Sequence, residues 1–556
     1  FRERTEFFHP PPYSNFLMPY ISIMKAGYHM NTAFRGQCRL PDSITAVTGK
    51  GSFTSPGSHK LVCEDFCLSL QEKADRLTVS VTAGDTPLSR LVLRWSLTLG
   101  QGCRILGGAW ERGYGDLEWR GFVPERVMPW YFLADSGDEV FAFGVMTQPK
   151  AMCFWTADSQ GVSLHLDLRS GGEGVVLQGR RLTAAQVLFR LYEGDAFAAL
   201  ERFCSELCPS PLMPDHPVYG SNNWYYAYGD SSHEEILQDA SLLASLTWGL
   251  ENRPYMVIDD GWQAQRTGDF NGGPWRQGNS RFPNMAALAA EMEARSVRPG
   301  IWMRPLWNRD PEIPAEWRLQ RDPEYLDPSL PAVLDWISED IRTLHDWGYR
   351  LIKHDFSTFD LLGGWGFQMG HVITRPGWHF GDGTKTTAEV VLGLYGAILR
   401  AAGDSLVLGC NCMGHLGAGL MHLNRTGDDT SGVLWERTRQ RGVNTLAFTL
   451  PQHGSFFAID ADCVGITGKI DWELNRRWLQ LLSESGTPLF VSIRPGVLSQ
   501  EQEGEMRAAF SKASLGESRA VPLDWQDTTC PRRWDLSGRE ETFDWMPDAG
   551  TVFLEL

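Results

Sequence analysis

The sequence predicts a multidomain fold: an N-terminal antiparallel β-sandwich, a central (β/α)8 TIM barrel and a small C-terminal β domain. Three observations indicate it. Residues 1 to about 205 carry short alternating apolar runs separated by Gly, Ser, Asp and Pro clusters, a pattern typical of antiparallel sheets. Residues 208–496 alternate short apolar runs with helix-like segments, which indicates parallel βαβ units. Residues 497–556 return to short apolar runs among polar turns.

The N-terminal domain is predicted to span residues 1–207. Its strands include 77–81 (LTVSV) and 91–99 (LVLRWSLTL), and residues 195–207 are predicted to form an exit helix. Asp195 is placed to act as the N-cap of that helix. The following CPSPLMP stretch, residues 208–214, is too rich in proline to be helical and marks a boundary between domains.

The barrel is predicted for residues 208–496, because polar side chains follow one short apolar run after another. The clearest runs are PYMVIDDGWQ (254–263), PGIWMRP (299–305), LIKHDF (351–356) and SLVLGCN (405–411). In a (β/α)8 barrel the carboxyl ends of the strands meet at one face, and that face carries the active site. These side chains are therefore expected to converge. Residues 497–556 are predicted to form the small C-terminal β domain.

Composition narrows the class of protein. A chain of 556 residues, 42% apolar and 21% charged, is globular and long enough for two or three domains. The formal net charge of −17, without a basic stripe, argues against nucleic acid and anionic membranes as partners. No run of 18 apolar residues predicts a membrane span. The chain begins at Phe1, which suggests a processed or trimmed N-terminus and leaves the compartment open.

Neither a metal nor another cofactor is expected. The 11 cysteines are too few for a disulfide scaffold at this length. The Cys63-x3-Cys67 and Cys204-x3-Cys208 pairs have no histidine pair at the distances that zinc sites need. The 22 tryptophans are consistent both with large cores and with platforms on which sugar rings stack.

The run LIKHDF ends on Lys353-His354-Asp355. In a strand, Lys353 and Asp355 point to the same face. Asp355 is therefore the candidate nucleophile, and Lys353 is expected to lower its pKa by charge proximity. An ion pair at the end of an ordinary strand is the alternative for such a motif taken alone.

With Asp259-Asp260-Gly261-Trp262 and the Arg425…Asp429 segment, this motif resembles the signatures of the α-galactosidase clan of glycoside hydrolases. The closest resemblance is to family 36, which includes raffinose-synthase-like enzymes, and it covers roughly residues 215–495 in the right order and spacing. It implies a retaining mechanism, in which one carboxylate attacks the anomeric carbon while a second carboxyl group protonates the leaving oxygen.

The second carboxyl group is expected at Asp428 or Asp429. These neighbours point in opposite directions on an extended backbone, so one of them faces the sugar. The clan's Arg-x-x-x-Asp spacing from Arg425 selects Asp429, whereas the family's Ser-Asp pair, aligned on Gly427-Asp428, selects Asp428. Asp429 is favoured, and the other aspartate is expected to cap a helix or to support Arg425.

The resemblance implies further substrate contacts. Asp259 and Asp260 match paired aspartates that accept hydrogen bonds from the 4- and 6-hydroxyls of a galacto-configured sugar. Eight other residues are candidates for substrate binding. Three tryptophans could stack on a sugar or belong to the core: Trp224, Trp262 and Trp302. The others are the arginines at strand ends, the lysine of the Lys-x-Asp motif and the pair after the fifth strand: Arg304, Arg425, Lys353, Cys410 and Asn411.

One departure widens the range of substrates. The family's Gly-rich segment near the 2-position of the sugar is absent, and Cys410-Asn-Cys-Met-Gly-His-Leu-Gly stands in its place. The predicted function is hydrolysis of terminal α-galactosides, α-N-acetylgalactosaminides or α-galactosaminides in an oligosaccharide or glycan. A raffinose-synthase-like transferase and a non-catalytic carbohydrate-binding protein remain alternatives, and the oligomeric state is open.

Overall fold

The computed structural model describes residues 39–547, except 64, 74, 98, 100 and 101, together with residue 550. Its N-terminal part contains two antiparallel sheets, which confirms the antiparallel prediction. One sheet has the order β2-β1-β6-β13-β12-β9 and the other β3-β4-β5-β14-β11-β10-β7-β8. The strands are β1 (Ser43–Thr48), β2 (Gly51–Pro56), β3 (Lys60–Val62), β4 (Phe66–Lys73), β5 (Arg76–Ala83), β6 (Leu88–Ser96), β7 (Arg104–Gly107), β8 (Trp119–Arg120), β9 (Met128–Pro129), β10 (Tyr131–Asp135), β11 (Glu139–Val145), β12 (Met152–Asp158), β13 (Gly161–Asp167) and β14 (Arg181–Glu193).

Aromatic side chains fill the space between the two sheets. Trp155 on β12 packs against Trp95 in its own sheet, with ring centroids 6.0 Å apart. It also meets Phe132 and Phe189 of the facing sheet at 5.8 and 5.9 Å. The alternation of buried and less buried residues along β6 explains why one face of each sheet can supply such a core.

A helix leads out of this region as predicted. Helix α1 (Ala196–Leu207) begins after Asp195, whose carboxylate accepts a hydrogen bond from the Ala198 backbone amide at 2.8 Å. That contact satisfies one of the free amides of the first turn. The predicted N-cap is therefore confirmed.

The central part is a parallel, curled sheet alternating with helices. Its strands are β15 (Tyr219–Asn222), β16 (Tyr255–Ile258), β17 (Arg298–Met303), β18 (Leu351–His354), β19 (Leu406–Gly409), β20 (Leu423–Arg425), β21 (Ala458–Asp460), β22 (Cys463–Ile466) and β23 (Leu489–Ile493). The helices are α2 (Trp224–Ala227), α3 (His233–Leu246), α4 (Met285–Glu293), α5 (Pro331–Asp346), α6 (Ser357–Leu362), α7 (Thr387–Ala401), α8 (Gly414–Gly417), α9 (Trp435–Arg437), α10 (Asn444–Thr449), α11 (Trp472–Ser483) and α12 (Gln500–Leu515).

The pairing order is β21-β20-β19-β18-β17-β16-β15-β23-β22, and every pair is parallel. Only Ala461 and Asp462 separate β21 from β22, and Asp462 has a φ of 72°. The ladder therefore begins and ends on one short, kinked segment. Because all strands run the same way, their carboxyl ends lie at one edge of the curled sheet.

The boundary predicted at residue 497 is wrong in one respect. Residues 500–515 form helix α12, which packs against α3, α11 and β15 and so belongs to the central part. The antiparallel strands of the C-terminal region follow it: β24 (Ala520–Pro522), β25 (Arg533–Leu536) and β26 (Arg539–Thr542). The sequence pattern missed the helix because its apolar side is narrow and Gln and Glu fill its first turns.

Within the described part of the chain, no helix combines the length and the apolar character needed to cross a membrane.

The aromatic core of the sandwich gives a stability prediction. Trp155 is fully buried, so Trp155→Ala should lower the free energy of unfolding by about 3–5 kcal/mol. Trp248→Ala is the matched control, because Trp248 is 88% exposed and its loss should change stability by no more than about 0.5 kcal/mol. Urea denaturation followed by circular dichroism measures both. Equal midpoints for the two variants would contradict the packing described above.

Candidate active site

A cavity of about 350 Å³ opens at the carboxyl edge of the parallel sheet. Its charged lining combines many aspartates with several basic side chains: Asp259, Asp260, Asp355, Asp428, Asp429, Asp460 and Asp462 with Arg112, Lys353, Arg425, Arg437 and Arg441. Aromatic side chains complete it: Tyr114, Trp224, Tyr225, Trp302, Phe356, Trp365, Phe367 and Phe490. A cavity of this size, lined by aromatic side chains and by convergent charged groups, is the default candidate for a binding or active site.

Asp355 follows strand β18 directly and is held by neutral donors. The indole Nε1 of Trp302 donates to its Oδ2 at 3.0 Å, and the Phe356 amide donates to its Oδ1 at 2.7 Å. Phe356 itself has a left-handed backbone conformation, with a φ of 63°. Both contacts fix the direction of the carboxylate, since each oxygen accepts one hydrogen bond.

Lys353 does not pair with Asp355 as expected. Its Nζ donates to Asp259 Oδ2 at 2.7 Å, across the mouth from β18 to the end of β16. Burial alone would lower the pKa of Lys353, but the charges of Asp259, Cys410 and Asp355 together outweigh it, and the pKa lies well above its usual value. Lys353 was expected to act on Asp355 through charge proximity, but its ion pair is with Asp259, because its side chain is long enough to reach the neighbouring strand end. Asp355 makes no salt bridge with any residue that the structure describes.

Asp259 and Asp260 both line the cavity, in different surroundings. Asp259 Oδ2 also accepts from Asn222 Nδ2 at 2.6 Å, so two donors hold it. Asp260 accepts from Gln263 Nε2 at 2.7 Å, and burial raises its pKa. The paired aspartates at the end of β16 are therefore oriented by their neighbours and present oxygens to the cavity.

Arg425, at the end of β20, is the centre of a second charged group. Its Nη2 lies 2.8 Å from Asp429 Oδ1 and 2.8 Å from Asp462 Oδ2. Asp462 Oδ2 also accepts hydrogen bonds from the Tyr225 hydroxyl and from the amide and hydroxyl of Thr430. The Asp429 side chain keeps 40% of its surface exposed. Burial raises its pKa, but Arg425, Arg112 and Lys353 outweigh this and bring the pKa to about 2.

Asp428 is bound more firmly than Asp429. Arg112 Nη2 lies 2.8 Å from its Oδ1, and Arg441 Nη1 lies 2.5 Å from its Oδ2. The side chain is only 14% exposed. Two guanidinium groups therefore flank this carboxylate and leave little of it open to the cavity. Of the two neighbouring aspartates, Asp429 is therefore the one available to a bound ligand.

Sequence reasoning missed the part of the cavity that comes from the N-terminal region. The segment 108–117 leaves β7 and crosses to the barrel edge, where the Gly113 amide donates to Thr426 O at 2.8 Å. Its Arg112 pairs with Asp428, and Glu111 accepts from Asn411 Nδ2 at 2.9 and 3.0 Å. The charged cluster WERGYGD at 110–116 was the available signal.

The three tryptophan candidates differ in their position relative to the cavity. Trp224 and Trp302 line the cavity, but Trp262 does not. Trp262 is fully buried between Trp275 and Trp347, and its Nε1 donates to the Trp302 carbonyl. The prediction that Trp262 contacts substrate is therefore corrected. Gly261 (φ +121) causes this, because it turns the chain back into the core where a Cβ would lie 2.4 Å from the Gly229 carbonyl.

Arg304, Cys410 and Asn411 lie outside the cavity lining. Arg304 is buried and pairs with Asp360, its Nη2 2.5 Å from Oδ1 and its Nε 3.0 Å from Oδ2. Its guanidinium also covers the Phe356 ring at 4.1 Å from the centroid. The predicted sugar contact of Arg304 is therefore replaced by a supporting one, beneath the residue that orients Asp355.

Cys410 and Asn411 follow β19 but are buried, at 2% and 0% exposure. The Asn411 side chain turns away from the cavity, toward Glu111. His354, between Lys353 and Asp355, is fully buried, and burial lowers its pKa to about 3, so it is neutral.

In the described residues, no group of three or more His, Cys, Asp or Glu side chains is arranged to hold a metal ion. Nine cysteines are free thiols: Cys63, Cys67, Cys153, Cys204, Cys208, Cys410, Cys412, Cys463 and Cys530. Cys38 lies outside the described residues.

No protein-family model matches the chain. Among solved structures it is similar to TtGalA, an α-galactosidase from Thermus thermophilus in complex with stachyose, at 16% identity over 81% of this chain and 99% of that chain, with a TM-score of 0.57. A variant of the GH36 α-galactosidase AgaA from Geobacillus stearothermophilus, in complex with 1-deoxygalactonojirimycin, matches at 15% identity over 91% of this chain and 76% of that chain, with a TM-score of 0.57. The galactosidase domain of AgaSK, an α-galactosidase-sucrose kinase, matches at 16% identity over 91% and 74%, with a TM-score of 0.56. At these identities the likeness establishes a shared fold.

The Arg304–Asp360 pair gives a prediction with a pH signature. Arg304→Met leaves Asp360 buried without its cation, which should destabilise the protein by about 3–5 kcal/mol. Burial raises the pKa of Asp360 to about 6 even against Arg304, and the variant should raise it further. A carboxyl group with a raised folded-state pKa loses stability as pH rises. The destabilisation should therefore be smaller at pH 5 than at pH 8, as measured by urea denaturation at both pH values.

The double variant Arg304→Met/Asp360→Leu is the control. It removes both charges and should recover most of the lost stability at pH 8. If the single variant were equally destabilised at both pH values, the ion pair would not be the source of the effect.

Proposed function

We propose that the protein is a retaining exo-α-glycosidase of glycoside hydrolase family 36, acting on terminal α-linked galacto-configured sugars through a (β/α)8 barrel. One observation carries the proposal: Asp355, on neutral donors, and Asp429, with an exposed side chain, line one cavity at the carboxyl edge of the parallel sheet. Two carboxyl groups facing one sugar site are the requirement of glycoside cleavage. The similarity in fold to α-galactosidases and the ordered motifs support it.

Asp355 is the proposed nucleophile. The Trp302 indole and the Phe356 amide hold its two oxygens and leave it without a salt bridge, so its charge remains available for attack on the anomeric carbon. A covalent glycosyl–enzyme intermediate follows, and water then releases the sugar with retention of configuration.

Asp429 is the proposed acid/base, and it must carry a proton when the leaving oxygen departs. In the open cavity Arg425, Arg112 and Lys353 keep it ionised. A bound sugar that excludes water from Asp429 raises its pKa, because burial disfavours the charged form. In the second step the ionised Asp429 takes a proton from the attacking water.

Asp259 and Asp260 are the proposed acceptors for sugar hydroxyls, with Trp224 and Trp302 as ring contacts. Charge-assisted hydrogen bonds to a hydroxyl discriminate strongly against an inverted or missing one. We include 2-amino and 2-acetamido sugars because Cys410 and Asn411 lie outside the cavity and the Asp460 carboxylate lines it.

A panel of aryl α-glycosides tests the proposal: galactoside, N-acetylgalactosaminide, galactosaminide and glucoside. We expect selective cleavage of a galacto-configured member, with the α-anomer released first in proton NMR, and no detectable turnover for Asp355→Asn. Asp335→Asn, at a position on helix α5 outside the cavity lining, is the matched control and should be fully active. Full activity of Asp355→Asn, or release of the β-anomer first, would refute the assignment.

The acid/base assignment predicts a dependence on the leaving group. Asp429→Asn should lower kcat/KM by about 10²–10⁴-fold for a leaving group that needs a proton, such as a sugar. The loss should be much smaller for a 2,4-dinitrophenyl galactoside, whose leaving group departs as a stable anion. Asp428→Asn serves as comparison, and its effect should not depend on the leaving group. The opposite pattern would assign the acid to Asp428.

A further inference from the structure

One basic side chain in the cavity forms no hydrogen bond or ion pair with the residues that the structure describes. Arg437, the last residue of α9, lines the cavity. Of the basic side chains in the lining, Lys353 pairs with Asp259, Arg425 with Asp429 and Asp462, and Arg112 and Arg441 with Asp428. The Arg437 guanidinium makes no hydrogen bond or ion pair with any residue that the structure describes.

Arg437 stands on the side of the cavity where Asp429 lies. The charges of Arg437 and Asp429 both shift the pKa of Tyr228. The same two charges also act on the pKa of Arg441, so all four side chains lie close together. The leaving oxygen departs beside the acid/base, so the groups around Asp429 face the leaving group and not the ring of the cleaved sugar.

The local backbone keeps Arg437 and Arg441 together. Arg437 directly precedes a π-helix, Thr438–Val443, that contains Arg441, and both side chains reach the cavity. Such a wide helical turn is uncommon and often occurs at functional sites. Two guanidinium groups four residues apart, one bound to Asp428 and one free, make a cationic wall that recognises carboxylate, phosphate or sulfate oxygens.

We propose that Arg437, with Arg441 beside it, forms a subsite for an anionic leaving group, so that the enzyme prefers α-galactosides whose aglycone carries an acidic substituent. This inference rests on the proposed glycosidase function and concerns the leaving-group side of the same cavity. The net charge of −17 strengthens this inference. An acidic protein offers an arginine many carboxylates as partners, and Arg437 pairs with none that the structure describes.

The test compares two substrates that differ only in charge: the 3-carboxy-4-nitrophenyl and 3-carbamoyl-4-nitrophenyl α-galactosides, with the amino or acetamido sugar used instead if the panel selects it. The readout is the ratio of their kcat/KM values. In Arg437→Gln the ratio of carboxylate to carboxamide should fall by about tenfold, the worth of one charge-assisted hydrogen bond. Arg437→Lys should retain part of the preference, and added salt should reduce it in the unsubstituted protein.

Arg400→Gln is the matched control, because Arg400 is an exposed arginine of helix α7 outside the cavity lining. It should keep the ratio of the unsubstituted protein. Circular dichroism of Arg437→Gln checks its fold, which should be intact because no side-chain hydrogen bond or ion pair with a described residue is lost. If both substrates are hydrolysed and the ratio is the same with and without Arg437, the anionic subsite is refuted while the glycosidase function stands. If neither substrate nor any panel member is hydrolysed, the proposed function fails and the subsite fails with it.

Discussion

Buried charge at the mouth of the parallel sheet is the constraint on which the rest of the structure depends. Several carboxylates line one small cavity. Low-dielectric surroundings make an uncompensated charge costly, so each carboxylate needs a cation or a hydrogen-bond donor beside it. The barrel strands supply Lys353 and Arg425. They do not supply the cation that faces Asp428 from the other side. That cation is Arg112, and it arrives on a segment of the N-terminal region.

This requirement explains why the two parts of the chain are joined so closely at the site. Gly113 donates to the Thr426 carbonyl and accepts from the Asp428 amide, so the segment lies against the barrel backbone itself. A side chain at Gly113 would put a Cβ 2.7 Å from Thr445, and Gly115 has a φ of 84° beside the Gln440 carbonyl. The close approach therefore depends on glycine at both positions. The sandwich acts as part of the site and not only as a neighbouring domain.

The motif residues near strand ends could be predicted from sequence because an apolar run followed by a polar residue is a local signal. Asp259 and Asp355, which line the cavity, were predicted in this way, whereas Asp429 was predicted from its spacing to Arg425 in the resembled family. Arg112 gave no such signal, since its partner Asp428 lies more than 300 residues away in a different kind of structure. The partner of Lys353 was mispredicted because same-face spacing along one strand says nothing about a carboxylate on another strand.

Trp262 and Arg304 were mispredicted for a different reason. Each follows an apolar run, as the cavity residues do, but the direction of a side chain after a strand depends on the backbone of the turn. Gly261 sends Trp262 inward, and the buried Asp360 captures Arg304. Both still support the site through a neighbouring residue: Trp262 donates a hydrogen bond to the carbonyl of Trp302, and Arg304 packs on the ring of Phe356. Trp302 and Phe356 are the two donors to Asp355. The orientation of the proposed nucleophile therefore depends in turn on Trp262 and Arg304, which lie outside the cavity lining.

Arg425 and Arg437 have different effects on Asp429, the proposed acid. Arg425 holds Asp429 in place, but with Arg112 and Lys353 it also keeps the pKa near 2, which is the wrong direction for a proton donor. Neutral substrates can correct this only by excluding water from the carboxylate. An anionic leaving group held by Arg437 would add negative charge near Asp429 and so raise its pKa further, because a like charge disfavours ionisation. Selection of the substrate and protonation of the acid would then depend on one contact.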